Sequence, residues 1–465
     1  MEKIKRFINT TLVFFAGNVM SKLVSFFLLP LYTSRLLPEQ YGSYDIAMSL
    51  INVIAPIAFF QIWDAVFRFA FDYEKDDEKQ KVINNGTFVF LCGIVFYTLL
   101  FLASTTYFKF EYKGYVLVYG LLFALQYVYT FAARVYLKNQ LFVVSGVINT
   151  LVTSILNIIL ILVFDCDVSS LYISHIIGTI VQLIIIESSI GVARKFRASQ
   201  IDKGLISKML RFSVPLCVAT ISYWLLSGYT KMIIYEKLGV FANGLYAVAN
   251  KFASLITILV TVFQYAWNEM AYMMSNEQDR SKTYNICIDA MLKSTLWGTA
   301  VICLAIKIVF PYFIDSQYSD ALNLIPACMI GVAFNSLASF LGTLFMTEKR
   351  TSFILTSTLI SSLFNVVLGY IGCKLWGLQG AIIALTASFL LLLILRIVKL
   401  VINYNVKIKI NNILPLVVLI VSVLFFIYLD SYILFISTVI IVLSGLIYGY
   451  RYVKRIFTEN RRTKL

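Results

Sequence analysis

Fourteen predominantly apolar runs mark the chain, at approximately 10–32, 43–63, 86–107, 115–135, 142–164, 170–191, 213–235, 242–271, 288–310, 321–346, 353–374, 378–400, 412–429 and 432–450. Most have the roughly 17–25 residues that a helix needs to cross a hydrocarbon core about 30 Å thick. Spanning strands would be about 9–11 residues long with strict alternation, which these runs do not show. The pattern predicts an all-α integral membrane protein of about 14 transmembrane helices. No outer loop exceeds about a dozen residues, so no soluble domain is available to house an active site.

The polar positions inside the runs are not scattered. Residues three or four apart share a helix face, and four spans carry such stripes. They are Asn18, Lys22 and Ser25; Asp45, Ser49 and Asn52; Thr220, Tyr223, Ser227 and Lys231; and Lys251, Ser254, Thr261, Tyr265 and Asn268. Hydrocarbon offers such groups no hydrogen-bond partner, so each stripe should face another helix or a water-filled cavity. The stripes are expected to line one central cavity. For the serines and threonines the alternative is a bond to their own backbone or a neighbouring helix. The lysines are harder to place, because an ammonium at the bilayer centre costs about 2.5–3.5 kcal/mol on insertion scales. Lys22, Lys231 and Lys251 are therefore the candidate substrate cations; Lys231 lies near the end of its span and could instead snorkel to the interface.

The chain also repeats itself. "GSYDIA" at 42–47 and "GLYAVA" at 244–249 share G-x-Y-x-x-A, and Arg35 and Lys237 match at the same offset. "SILNIIL" at 154–160 and "SLFNVVL" at 362–368 correspond at nearly that offset. A tandem six-helix unit follows, and six spans return the chain to its starting side, so the copies are parallel. The predicted division is an N-terminal lobe over 1–200, a C-terminal lobe over 201–405, and two extra helices with a basic tail over 406–465. The two parallel six-helix lobes would surround the central cavity.

Composition agrees with a membrane protein: 60% of the 465 residues are hydrophobic and 14% charged, against roughly 45–50% and about 25% in soluble domains. The net charge of +15 calls for no nucleic acid. With the N-terminus in the cytoplasm, only Arg35, Lys109, Lys113, Lys237, Lys307 and Lys374 fall outside. Lys22, Lys231 and Lys251 lie within spans, and the rest of the 39 cations lie inside. This positive-inside asymmetry predicts cytoplasmic N- and C-termini. The opening "MEKIKR" resembles a signal-peptide start, but no cleavage site follows.

Other ionisable residues have two readings each. Arg68 could attract an anionic headgroup or simply obey the positive-inside rule. Arg35 and Lys237 are candidates for gating or for an interfacial role. Asp45, His175 and Glu269 are the candidates for ion coupling, with an interhelical hydrogen bond as the alternative for His175. Seven dispersed cysteines support neither a disulfide framework nor a metal site. No phosphate loop, nucleophile elbow or zincin motif appears, so no catalytic residue and no cofactor is expected.

The stretch "SKLVSFFLLPLYTSRLLPEQYGSYDIAMSL" at 21–50 resembles the first hairpin of Wzx-type polysaccharide flippases, of the multidrug/oligosaccharidyl-lipid/polysaccharide exporter superfamily. "FRF" at 67–69, "FSVPL" at 212–216, "LGVFANGLYAVANKF" at 238–252 and "FQYAWNEMAY" at 263–272 extend the likeness along the chain. The resemblance implies two six-helix lobes around a cationic cavity in the bacterial cytoplasmic membrane. It implies alternating-access transport of undecaprenyl-diphosphate-linked glycan for capsule, exopolysaccharide or O-antigen, driven by an ion gradient. Polymerases and glycosyltransferases of polysaccharide assembly would be its partners. Related readings are a peptidoglycan-precursor (lipid II) flippase and a multidrug antiporter; a polymerase or ligase is the reading from another class. Two departures stand out. Family members commonly place an acid before the cation of span 7, where this chain has Thr230 before Lys231, so Lys231 is expected to be freer to bind an anion. Many also have proline at the position of Glu269.

Overall fold

The computed structural model describes residues 19–106, 112–273, 280–347, 351–404, 413–429, 433 and 436–445. Asn18 and the basic tail lie outside the described residues, as do the side chains of Tyr265, Asn268 and Glu269. Among the described residues the chain is helical, without strands. The helices are α1 (19–27), α2 (Leu29–Arg35), α3 (Pro38–Ala58), α4 (Ile62–Ala70), α5 (Asp76–Ser104), α6 (Lys113–Val135), α7 (Asn139–Leu162) and α8 (Ser169–Ile190). They continue with α9 (Lys203–Met273), α10 (Arg280–Phe313), α11 (Ile325–Thr347), α12 (Thr351–Tyr404), α13 (Ile413–Tyr428) and α14 (Ile436–Gly445).

Eight of the described helices are long and apolar enough to cross a membrane, nine when α3 and α4 count as one bent span. Two of the eight hold two sequence-predicted spans each. An unbroken 71-residue α9 would run about 105 Å at 1.5 Å per residue, several times the bilayer core. It breaks at Gly239, whose φ of 86° lies in the region that favours glycine. The chain reverses there: Lys231 and Gly244 both meet α3 within one turn, at Asp45 and Gly42. In α12 the break falls at Trp376 and Gly377. A Cβ on Gly372 would come within 2.5 Å of the Gly380 carbonyl oxygen, which eight residues of straight helix would place about 12 Å away. Each is therefore a hairpin of two spans.

Contacts divide the chain into two compact units, one of residues 1–247 and 362–381, the other of 248–361 and 382–465. In the first, α4 packs on α5 and α6, and α8 packs on α6 and α7. Its core includes Ile62, Val66, Ile83, Ala132 and Ile186, all essentially inaccessible. A polar seam runs through it: Gln182 accepts from the Gln126 and Asn149 amides at 2.6 and 2.8 Å. Helix α8 ends at Gly191 (φ 73°), and the Glu187 carboxylate accepts from the Ala193 and Arg194 backbone N–H groups, a loop-fixing role that satisfies orphan donors. In the second unit, α10 packs on α11 and α13, and Lys307 of α10 donates to the Phe426 and Leu429 carbonyls that end α13.

Candidate functional site

Helix α3 begins with Pro38 in its first turn, where a missing N–H costs nothing. It ends beyond Pro56 in a 55° bend through Phe60 and Gln61. Along its length it pairs with α9 through a ladder of polar contacts. Cys217 donates to the Pro56 carbonyl at 3.4 Å, and Thr220 to the Gln61 side chain at 2.9 Å. The Trp224 indole N–H bonds the Ser49 carbonyl at 3.0 Å, Lys231 Nζ the Asp45 Oδ1 at 2.7 Å, and the Asn243 amide the Gly42 carbonyl at 2.8 Å. Of the stripes predicted on spans 2 and 7, Asp45 and Lys231 meet directly, whereas Ser49 and Thr220 meet Trp224 and Gln61 and Ser227 bonds back to the Tyr223 carbonyl. Asn52 is exposed and bonds back to Met48.

The Lys231 and Asp45 side chains are 18% and 19% exposed. The sequence reading left Lys231 without its acid because position 230 is threonine. The acid instead comes from Asp45, 186 residues earlier, and Lys231 is not the unengaged cation expected from Thr230. Thr230 is fully buried and accepts from the Asn365 amide at 3.1 Å, which also donates to the Leu226 carbonyl. Among the described residues, Asp45 Oδ2 is buried with no hydrogen-bond partner.

One turn along α3, the G-x-Y-x-x-A repeats face each other. A Cβ on Gly42 would meet the Val240 carbonyl oxygen and lie 2.6 Å from Gly244 N. A Cβ on Gly244 would meet the Pro38 carbonyl and lie 2.6 Å from its carbon. The matched glycines are where the two backbones cross.

Other candidates are placed apart. Lys22 is exposed on α1, beside Ser21, which pairs with Thr150 at 3.0 Å. Lys251 is half-buried in the second unit, and Ser254 caps its carbonyl at 2.6 Å. Arg35 reaches Asp165 at 3.7 Å with both side chains largely exposed. Arg68 pairs with Asp72 at 2.6 Å, also exposed. Lys237 pairs with Glu236 at 2.9 Å and sits over the Tyr370 ring. His175 lies among aromatic rings, stacked on Tyr44 with a 6.3 Å centroid separation and 5.3 Å from Tyr119.

The second unit also buries charged side chains. Asp289 and Lys293 form a buried i,i+4 pair at 2.7 Å. Arg396 is buried and donates to the Ala338 carbonyl at 2.5 Å and toward Ser357 and Thr358. Their i,i+4 spacing was a usable signal for the first pair; nothing in the local sequence marks Arg396.

A model of the family described as polysaccharide biosynthesis protein matches residues 7–268, more than half of the chain. No curated protein matches. Among solved structures, the lipid II flippase MurJ in an inward closed conformation shares 16% identity, covers 96% of this chain and 100% of its own, and superposes with a TM-score of 0.69. An inward-facing multidrug-resistance MATE transporter of the MOP superfamily shares 12%, covering 82% of this chain and 97% of its own, with a TM-score of 0.68. The Vibrio cholerae MATE transporter VcmN shares 16%, covering 86% and 98%, with a TM-score of 0.59. At these identities the likeness shows the fold: a multi-pass membrane transporter architecture.

Proposed function

The chain belongs to the polysaccharide biosynthesis protein family, and from that premise we propose that it is a flippase for a lipid-linked oligosaccharide. In this reading it carries undecaprenyl-diphosphate-linked repeat units of a capsule, exopolysaccharide or O-antigen across the bacterial cytoplasmic membrane, and performs no covalent chemistry. The lobes are residues 1–200 and 201–405, with 406–465 appended, both termini are cytoplasmic, and transport proceeds by alternating access. The contact of repeat-related glycines at 42 and 244 supports this, because two backbones in direct contact form a pivot that side-chain bulk does not obstruct.

The observation that carries the substrate class is the sign of the intramembrane charge. The Asp45 carboxylate is engaged by Lys231; the cations of the predicted stripes include Lys22, exposed on α1, and Lys251, half-buried in the second unit. A cationic drug would need carboxylates; a diphosphate needs cations, and Lys supplies point charges for phosphate. Lys22 and Lys251 are each proposed as diphosphate contacts. Lys231 and Arg68 contribute only after leaving Asp45 and Asp72. A peptidoglycan precursor presents the same diphosphate, and family membership favours the polysaccharide repeat unit over it.

Export of surface glycan by cells carrying Lys251→Ala tests the reading. The alanine variant should lose most export, and Lys251→Arg should retain part of it. Normal export by the alanine variant at matched protein levels would remove Lys251 from the mechanism. Sugar transfer catalysed by the purified protein would overturn the flippase reading itself.

A further inference from the structure

Away from α3 and α9, the ends of α5 to α8 and the 191–202 segment line an open cavity of about 300 Å³. Two carboxylates reach it from the first turn of α5, Asp76 and Asp77. Three cations reach it from other elements: Lys138 at the α6–α7 turn, whose ammonium also donates to the Ser189 carbonyl at 2.9 Å, and Lys195 and Arg197 after α8. Here no pair within 4 Å joins these two acids to these three cations; Asp76 instead makes a loose 3.9 Å contact with Lys79 on its own helix.

The floor beneath them is fixed. The Tyr136 hydroxyl donates to Gln80 Oε1 at 2.8 Å, Gln80 donates to Asn84 Oδ1 at 2.8 Å, and Asn84 donates to Gln200 Oε1 at 2.7 Å. Gln80 and Asn84 are buried, so the chain is costly to break. It ties α5, the end of α6 and the loop after α8 into one frame. Lys195 lies over the Tyr136 ring, 5.7 Å from its centroid. Burial, and then the charges of Asp76 and Asp77, push the Tyr136 phenol up to about 12, which places the field of both acids on the cavity floor.

A simple anion in this cavity would meet two carboxylates, and a simple cation would meet three basic groups. A ligand that carries both charges satisfies both sets and is rejected by neither. We propose that the cavity binds a phosphoryl–ammonium zwitterion of the phosphoethanolamine type, its phosphate on Lys138, Lys195 and Arg197 and its ammonium on Asp76 and Asp77. Arg197 offers the forked N–H geometry suited to phosphate. The source is either the headgroup of a bilayer phospholipid, since the ends of spanning helices emerge in the headgroup layer, or a soluble phosphoethanolamine ester. This site is independent of the translocation reading.

The test uses the full-length protein in a maltoside detergent, titrated with phosphatidylethanolamine or phosphatidylglycerol and read by native mass spectrometry. Phosphatidylethanolamine should bind at least threefold more tightly. Arg197→Ala and Asp77→Asn should each bring that preference close to unity, while Lys208→Ala, an exposed α9 substitution outside the cavity, should leave it intact. Displacement of the lipid by free O-phosphoethanolamine would show that the headgroup alone suffices. Retention of a selective lipid signal in its presence would identify the membrane as the source, and both results support the zwitterion site. Equal binding of the two lipids, or a preference unchanged in both cavity variants, would overturn it.

Discussion

Removing either partner of the Asp45–Lys231 pair should destabilise the protein, and removing both should cost no more than removing the worse one. At 2.7 Å and an effective dielectric near 20, the gross attraction is about 6 kcal/mol. Desolvation cancels most of this. With the side chains only 18% and 19% exposed, the pair falls between exposed pairs, worth about 0–1 kcal/mol, and fully buried ones, whose rupture costs about 3–5 kcal/mol. Each single alanine substitution should therefore cost about 1–3 kcal/mol. An orphaned Lys231 leaves an ammonium within a span, and an orphaned Asp45 leaves a carboxylate whose second oxygen is already unpartnered among the described residues. The assay is a double-mutant cycle on Asp45→Ala, Lys231→Ala and the double variant, following apparent Tm of the purified protein at one fixed scan rate, because such unfolding is commonly irreversible. Single-variant Tm losses that simply add in the double variant would refute the coupling.

Two further outcomes follow from the geometry. Gly244→Ala should sharply reduce folded protein, because the new methyl group meets the Pro38 backbone rather than a movable side chain, whereas Gly114→Ala, with nothing within 4 Å, should be tolerated; comparable yields by size-exclusion chromatography would refute the crossing. Asp202 is held below the usual carboxylate range by the hydrogen bond from Lys81, then by the Leu205 and Gly204 N–H groups and the Lys81 charge. A depressed acid stabilises the fold above its unfolded value of about 3.9 and loses that contribution as pH falls through the folded value. The Tm deficit of Asp202→Asn should accordingly be full at pH 7 and disappear in strong acid; a deficit that is constant with pH would contradict this.

The fold was legible because each spanning helix must satisfy its own backbone in lipid, so length and apolarity alone mark the elements. The close approach of glycines 42 and 244 had a trace in the shared G-x-Y-x-x-A motif, since only glycine lets two backbones touch there. The hairpin breaks at Gly239 and Gly377 fall between runs already separated by hydropathy. The sequence thus determined the class, the approximate spans and which helices carry polar stripes. What those stripes meet was decided only by tertiary structure. Local spacing orients a side chain on its own helix but says nothing of which helix lies opposite. Thr230 beside Lys231 pointed to a missing acid, and the neutralising carboxylate stands 186 residues away in Asp45. Lys293 and Arg396 had been assigned by sidedness alone to the inner face, and packing buries both, with Asp289 beside Lys293. Charge pairing depends on distance in space, and distance along the chain does not encode it.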